Sequence, residues 1–232
     1  MIMEEDKMTV NKEDYLKAIY KLGGSKELVN NKQIAEVLQI SPASVTEMMG
    51  KLKKEGLIEF EPYKGSRLSK EGMRAAISIV RGHRLWEVFL IRYLDYSWSE
   101  AHEDAELLEH IAPSRLIDRL AQFLDHPDYC PHGNAIPNTD GQMDSIQMQT
   151  LNHLPIGAIS YIRRVKEEKE LLDYLQELEV AIGKKVQVIE VTPYEGPLTI
   201  EMDGKRIQIS FKAATQIYVD QMRSEESEME IF

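Results

Sequence analysis

"NNKQIAEVLQISPASVTEMMGKLKKEG", residues 30–56, holds two short amphipathic segments with almost nothing between them. In the first, Ile34, Val37 and Leu38 recur at helical spacing and are expected to face inward, and Asn30 or Asn31 can cap the start. In the second, Val45, Met48, Met49 and Leu52 mark the buried side; Ser41 suits the N-cap, Pro42 the first turn and Gly56 the stop. Only Gln39 to Ser41 are left for the connection, which must be a tight turn. Two short helices joined in this way form a helix-turn-helix.

Upstream, "KEDYLKAIYKLG" (12–23) adds a helix with an apolar stripe of Tyr15, Leu16, Ile19, Tyr20 and Leu22. Downstream, "LIEFEPYKGSRLSKEG" (57–72) alternates through Leu57, Glu59 and Phe60, turns at "PYKGS" and returns through Arg67 and Leu68. A β-hairpin directly behind the second helix of such a pair is a wing. Together with the polar side Ser41, Ser44, Thr46, Lys51, Lys53 and Lys54, it predicts binding to double-stranded DNA. The recognition helix then begins at Ser41–Pro42. Ser41, Pro42, Ser44 and Glu47 approach base edges, Thr46 lies on the same side, and Lys51, Lys64 and Arg67 reach phosphates.

The net charge of −11 does not oppose this, because it is unevenly spread. Residues 1–80 hold 13 Lys and Arg against 12 Asp and Glu, whereas residues 81–232 hold 15 against 27. A balanced segment on an acidic body can still present its cations on one face. The one cysteine, Cys130, calls for no oxidising compartment. No apolar run approaches the roughly 20 residues of a membrane span, and the acidic start "MIMEEDKMTV" lacks an apolar signal core. A cytoplasmic protein with no membrane partner is expected.

Beyond the wing, "EGMRAAISIVRGHRLWEVFLIRYL" (71–94) is one long helical pattern, and residues 97–124 carry another helix or two, with Pro113 and Ser114 marking a restart. Trp86, Phe89, Leu90, Tyr93, Leu116 and Leu120 form an apolar surface for which a second copy of the chain is the simplest partner. Residues 126–145 are rich in Pro, Gly, Asn and Asp and form a loop. A helix is expected at about 163–178. After it, "KKVQVIEVT", "GPLTIEMDGKRIQIS" and "TQIYVD" alternate as short strands, with an Asp203-Gly204 turn, which predicts a small β-barrel of SH3 type or a similar sandwich. The tail "RSEESEMEIF" (223–232) is too acidic to pack. The fold class is mainly α with small β, divided at 1–72, 73–145 and 146–232.

"AHEDAELLEHI" (101–111) places His102, Glu106, Glu109 and His110 within an arc of roughly 100° on a helix, beside an apolar stripe. A charged surface helix has the same composition, but so does a buried metal site. His/Glu clusters also build hydrolytic centres. There is no HExxH, no cluster spaced for a two-metal hydrolase and no Gly-rich phosphate loop, and Ser97 and Ser99 have no evident partners, so no catalytic residue is assigned. A winged-helix regulator that answers a small organic ligand is the alternative of a different class.

Taken together, "EDYLKAIY", "ISPASVTEMMGKLKKEGLI", "GHRLWEVFL", "AHEDAELLEH" and "CPHGNAIP" resemble the DtxR/MntR family of metal-dependent transcriptional regulators, over nearly the whole chain. The resemblance implies a homodimer that binds operator DNA when a divalent metal is present, represses metal-uptake genes and carries a third, FeoA-related SH3-like domain. It implies a principal site of Asp14, Glu106, Glu109 and His110, the last three at i, i+3 and i+4. In the family's iron-responsive branch the positions of Asp14 and Glu106 hold Met and Cys; carboxylates here suit Mn²⁺, with Fe²⁺ as the alternative. It also implies a second site around His83, Glu87 and His102. Cys130 and His132 can close that site, a further carboxylate coming from Glu167 or Glu168, and Zn²⁺ is a candidate occupant.

Overall fold

The computed structural model of the chain describes residues 10–62, 64–138, 141–143 and 146–221, so the tail expectation lies outside the described residues. The chain divides into two compact units, one of Met1–Trp86, Ala105–Phe123 and Pro137–Gln142, the other of Glu87–Asp104, Leu124–Ile136 and Met143–Phe232.

The first unit begins with α1 (Val10–Lys21), α2 (Asn31–Leu38) and α3 (Pro42–Lys54). Asn30 caps α2 with a full capping box, its side chain accepting from Gln33 N while Gln33 reaches back. Gln39 then turns the chain through the left-handed region (φ 52°), and Ser41 caps α3 ahead of Pro42. The predicted tight turn is therefore a left-handed residue followed directly by an N-cap. Leu16, Ile19, Ile34, Val45 and Leu52 are fully buried in one core, each such side chain contributing about 1.5–3 kcal/mol of hydrophobic stabilisation. Val37 was expected to face inward and does not: it is 49% exposed, and Ala35 takes the buried place beside Ile34. Eight helical residues need only a narrow apolar stripe, and Ile34 with Ala35 fills it.

β1 (Ile58–Glu61) and β2 (Gly65–Leu68) pair antiparallel as the wing, with Glu59 opposite Arg67. Val29 and Ser66 exchange backbone hydrogen bonds at 2.8 and 2.9 Å, which anchors the wing to the segment before α2. A Cβ on Gly65 would lie 2.4 Å from the Val29 carbonyl oxygen, so this approach requires glycine. α4 (Lys70–Leu94) and α5 (Trp98–Ile111) each supply residues to both units, and α6 (Ser114–Phe123) belongs to the first.

The second unit is built on a six-stranded antiparallel sheet in the order β3-β8-β4-β5-β6-β7. Its strands are β3 (Met148–Thr150), β4 (Ile159–Val165), β5 (Lys185–Val191), β6 (Leu198–Met202), β7 (Lys205–Ile209) and β8 (Ile217–Asp220). Asp203 and Gly204, both at positive φ, make the two-residue turn between β6 and β7. α7 (Lys169–Glu177) and the short α8 (Phe211–Ala214) accompany the sheet, whose core includes Ile162, Leu172, Val186, Ile200 and Val219.

The helix expected at 163–178 is corrected at its start. Residues 159–165 are β4, and the helix begins only at Lys169. β4 has ladder partners on both sides and buries alternate residues, Ser160 and Ile162 among them; this pairing outweighs the weak local helical signal. Trp98 packs against the same core, and its backbone N–H donates to Gln176 Oε1 at 3.1 Å.

Candidate metal centres and nucleic-acid interface

In the first unit, α1 and α5 bring acid and imidazole groups together. His110 Nδ1 lies 2.5 Å from Glu13 Oε2, while its Nε2 lies 3.0 Å from Asp14 Oδ1 and 3.4 Å from Glu109 Oε1. Asp14, Glu109 and His110 thus offer three ligand atoms within 4.8 Å of one another. Glu106 does not complete that triad. It stands in an overlapping one with Glu109 and His83, whose Nδ1 is 2.7 Å from Glu109 Oε2 and 3.8 Å from Glu106 Oε1. Glu109 is shared by both, and its carboxylate has no solvent exposure.

The donor set fits a divalent cation. One nitrogen of His110 is held by a carboxylate and the other aims at oxygen ligands, the arrangement by which a ligating imidazole is oriented. Carboxylates crowded at this spacing, Glu109 buried and Asp14 and Glu106 part-buried, are unfavourable without positive charge, and Lys17 supplies one: its Nζ is 2.5 Å from both Glu106 Oε2 and Glu109 Oε1. Burial raises the Asp14 pKa, against the opposing pull of His110 and Lys17. Burial also pushes Glu106 upward, but Lys17, His83 and Lys21 more than offset it and hold its pKa at about 2.

The second cluster lies wholly in the second unit. Glu87, Cys130, His132 and Glu167 offer four ligand atoms within 4.8 Å of one another. Glu87 Oε1 is 3.0 Å from both His132 Nδ1 and His102 Nδ1. His132 Nε2 donates to the Trp98 carbonyl at 3.2 Å; since a carbonyl only accepts, that contact fixes which nitrogen carries the proton and leaves Nδ1 for the cluster. The CPHGN loop is folded for this purpose. Cys130 N–H donates to Asn134 O, Gly133 N–H to Cys130 O and Val165 N–H to His132 O, all at 2.9–3.0 Å. Gly133 has φ +84°, and a Cβ there would lie 1.9 Å from Arg163 O. Asn134 Nδ2 donates to Glu167 Oε1 at 2.7 Å and so aims that carboxylate. Glu168 points elsewhere, pairing with Lys166 and accepting from Gln216.

Sequence reasoning missed Glu13, Lys17 and Asn134. Glu13 and Lys17 lie at i and i+4 on α1 beside Asp14, the one sequence signal for them; their partners are more than 85 residues away.

On α3 and the wing, Ser41, Pro42, Ser44, Thr46, Glu47, Lys51, Lys64 and Arg67 are all exposed. Their side chains are not idle. Ser41 Oγ accepts from Ser44 N at 3.1 Å, and Thr46 Oγ1 donates to Pro42 O at 2.9 Å. Each predicted phosphate cation pairs with an acid of its own element: Lys51 with Glu47 (2.8 Å), Lys64 with Glu61 (3.0 Å) and Arg67 with Glu59 (2.7 Å). Exposed pairs of this kind are weak and screened by solvent, so a phosphate can take over any of the three cations.

The chain matches the models of the iron dependent repressor N-terminal DNA binding domain over residues 7–66, the iron dependent repressor metal binding and dimerisation domain over 69–138, and the FeoA domain over 149–221. The iron-dependent repressor IdeR of Mycobacterium bovis is 28% identical over 205 residues, 83% of this chain and 88% of that protein. Among solved structures, a manganese-dependent transcriptional repressor in complex with manganese has a TM-score of 0.82 at 30% identity, covering 91% of this chain and all of that one. The manganese regulator SloR gives 0.73 at 39% identity, covering 93% of this chain and all of its own.

Proposed function

We propose a mechanism for this chain from the premise that it belongs to the DtxR/MntR family of iron- and manganese-dependent transcriptional repressors. Mn²⁺ is our assignment for the activating ion, and the observation that carries it is the donor set of the first cluster. Asp14, Glu109 and His110, with Glu106 alongside, present carboxylate oxygens and imidazole nitrogen and no sulfur. Hard ligands of this kind accept Mn²⁺ without favouring soft ions. The name of the mycobacterial relative supports Fe²⁺ as a second reading. The second cluster adds the Cys130 thiol to Glu87, His132 and Glu167, with His102 against Glu87, and its sulfur suits Zn²⁺.

A divalent ion supplies the positive charge that the converging carboxylates require. The residues do the rest. Asp14 ties α1 to Glu109 and His110 on α5, and Glu13 holds His110 in the orientation that meets Asp14. Because α1 shares a core with α2 and α3, fixing α1 fixes the recognition helix. DNA contact then falls to Ser41, Pro42, Ser44, Thr46 and Glu47 on base edges and to Lys51, Lys64 and Arg67 on phosphates. We further assign the chain to a cytoplasmic homodimer acting at operators of metal-uptake genes, with domains 1–72, 73–145 and 146–232. The three matched segments, which fall within those bounds to a few residues, support the division.

Replacing His110 with Ala tests the assignment. Metal-stimulated DNA binding should disappear in a gel shift while the sedimentation coefficient stays that of the parent. A variant that answers Mn²⁺ as the parent does overturns the role of the first cluster and moves the switch to the second.

A further inference from the structure

We propose that Lys17 is a resident competitor of the metal ion at the first cluster, setting the concentration at which the protein responds. It rests on the reading of Glu106 and Glu109 as metal-binding carboxylates. Lys17 is a long cationic side chain on α1 that is only 6% exposed, in a position where lysine is rarely found unless paired. Its partners are the two carboxylates at the heart of the cluster, each 2.5 Å from Nζ. Glu109 Oε1, which Lys17 contacts, is also the oxygen that faces His110 Nε2. The ammonium and a divalent ion therefore draw on the same oxygen lone pairs.

Two cations cannot share that oxygen at short range without strong repulsion in a partly dry site. Metal loading must move Lys17 off Glu109, and its affinity is lowered by whatever the ammonium contributed there. The same ion pairs link α1 to α5, the two elements that Asp14 and His110 link. Lys17 thus makes, with a single charge, a weaker version of the cross-link that the metal makes with two. Asp14 on the same helix and His83 on α4 also lie against these carboxylates, and neither is altered when Lys17 is replaced.

The test is a Mn²⁺ titration of the full-length protein, by competition with a fluorescent chelator, for the parent, Lys17→Met and Glu109→Gln. Lys17→Met should bind Mn²⁺ at least about tenfold more tightly, because one competing positive charge is gone, and Glu109→Gln should lose binding. An affinity unchanged or weakened in Lys17→Met, with Glu109→Gln still defective, overturns the competitor role. Parental affinity in Glu109→Gln overturns the metal-site reading beneath it. A second measurement needs no variant: acylation of Lys17 in the parent, followed by mass spectrometry, should rise several-fold on adding Mn²⁺ as the amine leaves its carboxylates. Acylation that stays level or falls overturns the proposal even if Lys17→Met fails to fold.

Discussion

Glu109 shows how one side chain can serve three neighbours, with one oxygen facing His110 and Lys17 and the other facing His83. Its position was legible in the sequence, because i, i+3 and i+4 spacing on one helix needs no tertiary information. Glu13, Lys17 and Asn134 were not, because their roles depend on which helix or loop packs opposite them. His132 is the residue whose titration makes a prediction. Burial alone would lower its pKa, but the Glu87 carboxylate at 3.0 Å more than reverses this and raises it above 6.5. A folded pKa raised above the unfolded one gives stability that is complete below about pH 6.5 and is lost as pH climbs through the raised value. Chelator-treated protein should therefore show a melting temperature that falls through this window, and His132→Gln should flatten the fall. A parental profile as flat as the variant's would remove the His132–Glu87 pair from the account.

α3 and its cap are the elements where sequence and structure agree most closely, since Ser41, Pro42 and the apolar spacing act locally. β4 is where they part: Arg163 and Arg164 were assigned to a helix, yet the strand exists because β5 and β8 flank it, a non-local condition that no short window reveals. Loss of the buried role of Val37 has the same origin, since how wide a stripe α2 buries is decided by its neighbours. On α3, Lys51 is held by the exposed Glu47 pair. Lys51→Ala should weaken binding to specific and non-specific DNA alike, and should reduce the slope of log K against log salt by about one unit. An unchanged slope would place Lys51 away from phosphate.

At the scale of the molecule, apolar residues remain uncovered in a single chain. Leu107, Ile111, Leu116 and Phe123 on α5 and α6 are 44–70% exposed, whereas Leu90 and Leu120, assigned from sequence to a surface between copies, are already buried within one chain. A face of this kind marks an association surface. Sedimentation at micromolar concentration should give a dimer, and Leu107→Glu should shift it toward monomer; a parental monomer would contradict the assembly. An overall charge of −11 is compatible with DNA because the N-terminal segment is close to neutral and Lys51, Lys53, Lys54, Lys64 and Arg67 lie on α3 and the wing. Metal at the first cluster and DNA at α3 should be energetically coupled, typically by about 1–3 kcal/mol. The most direct measurement is operator affinity by fluorescence anisotropy across a Mn²⁺ titration, paired with Mn²⁺ affinity measured with and without the operator. Each ligand should tighten the other by the same factor, roughly 5- to 150-fold. DNA affinity independent of Mn²⁺, with Mn²⁺ affinity independent of DNA, would contradict it.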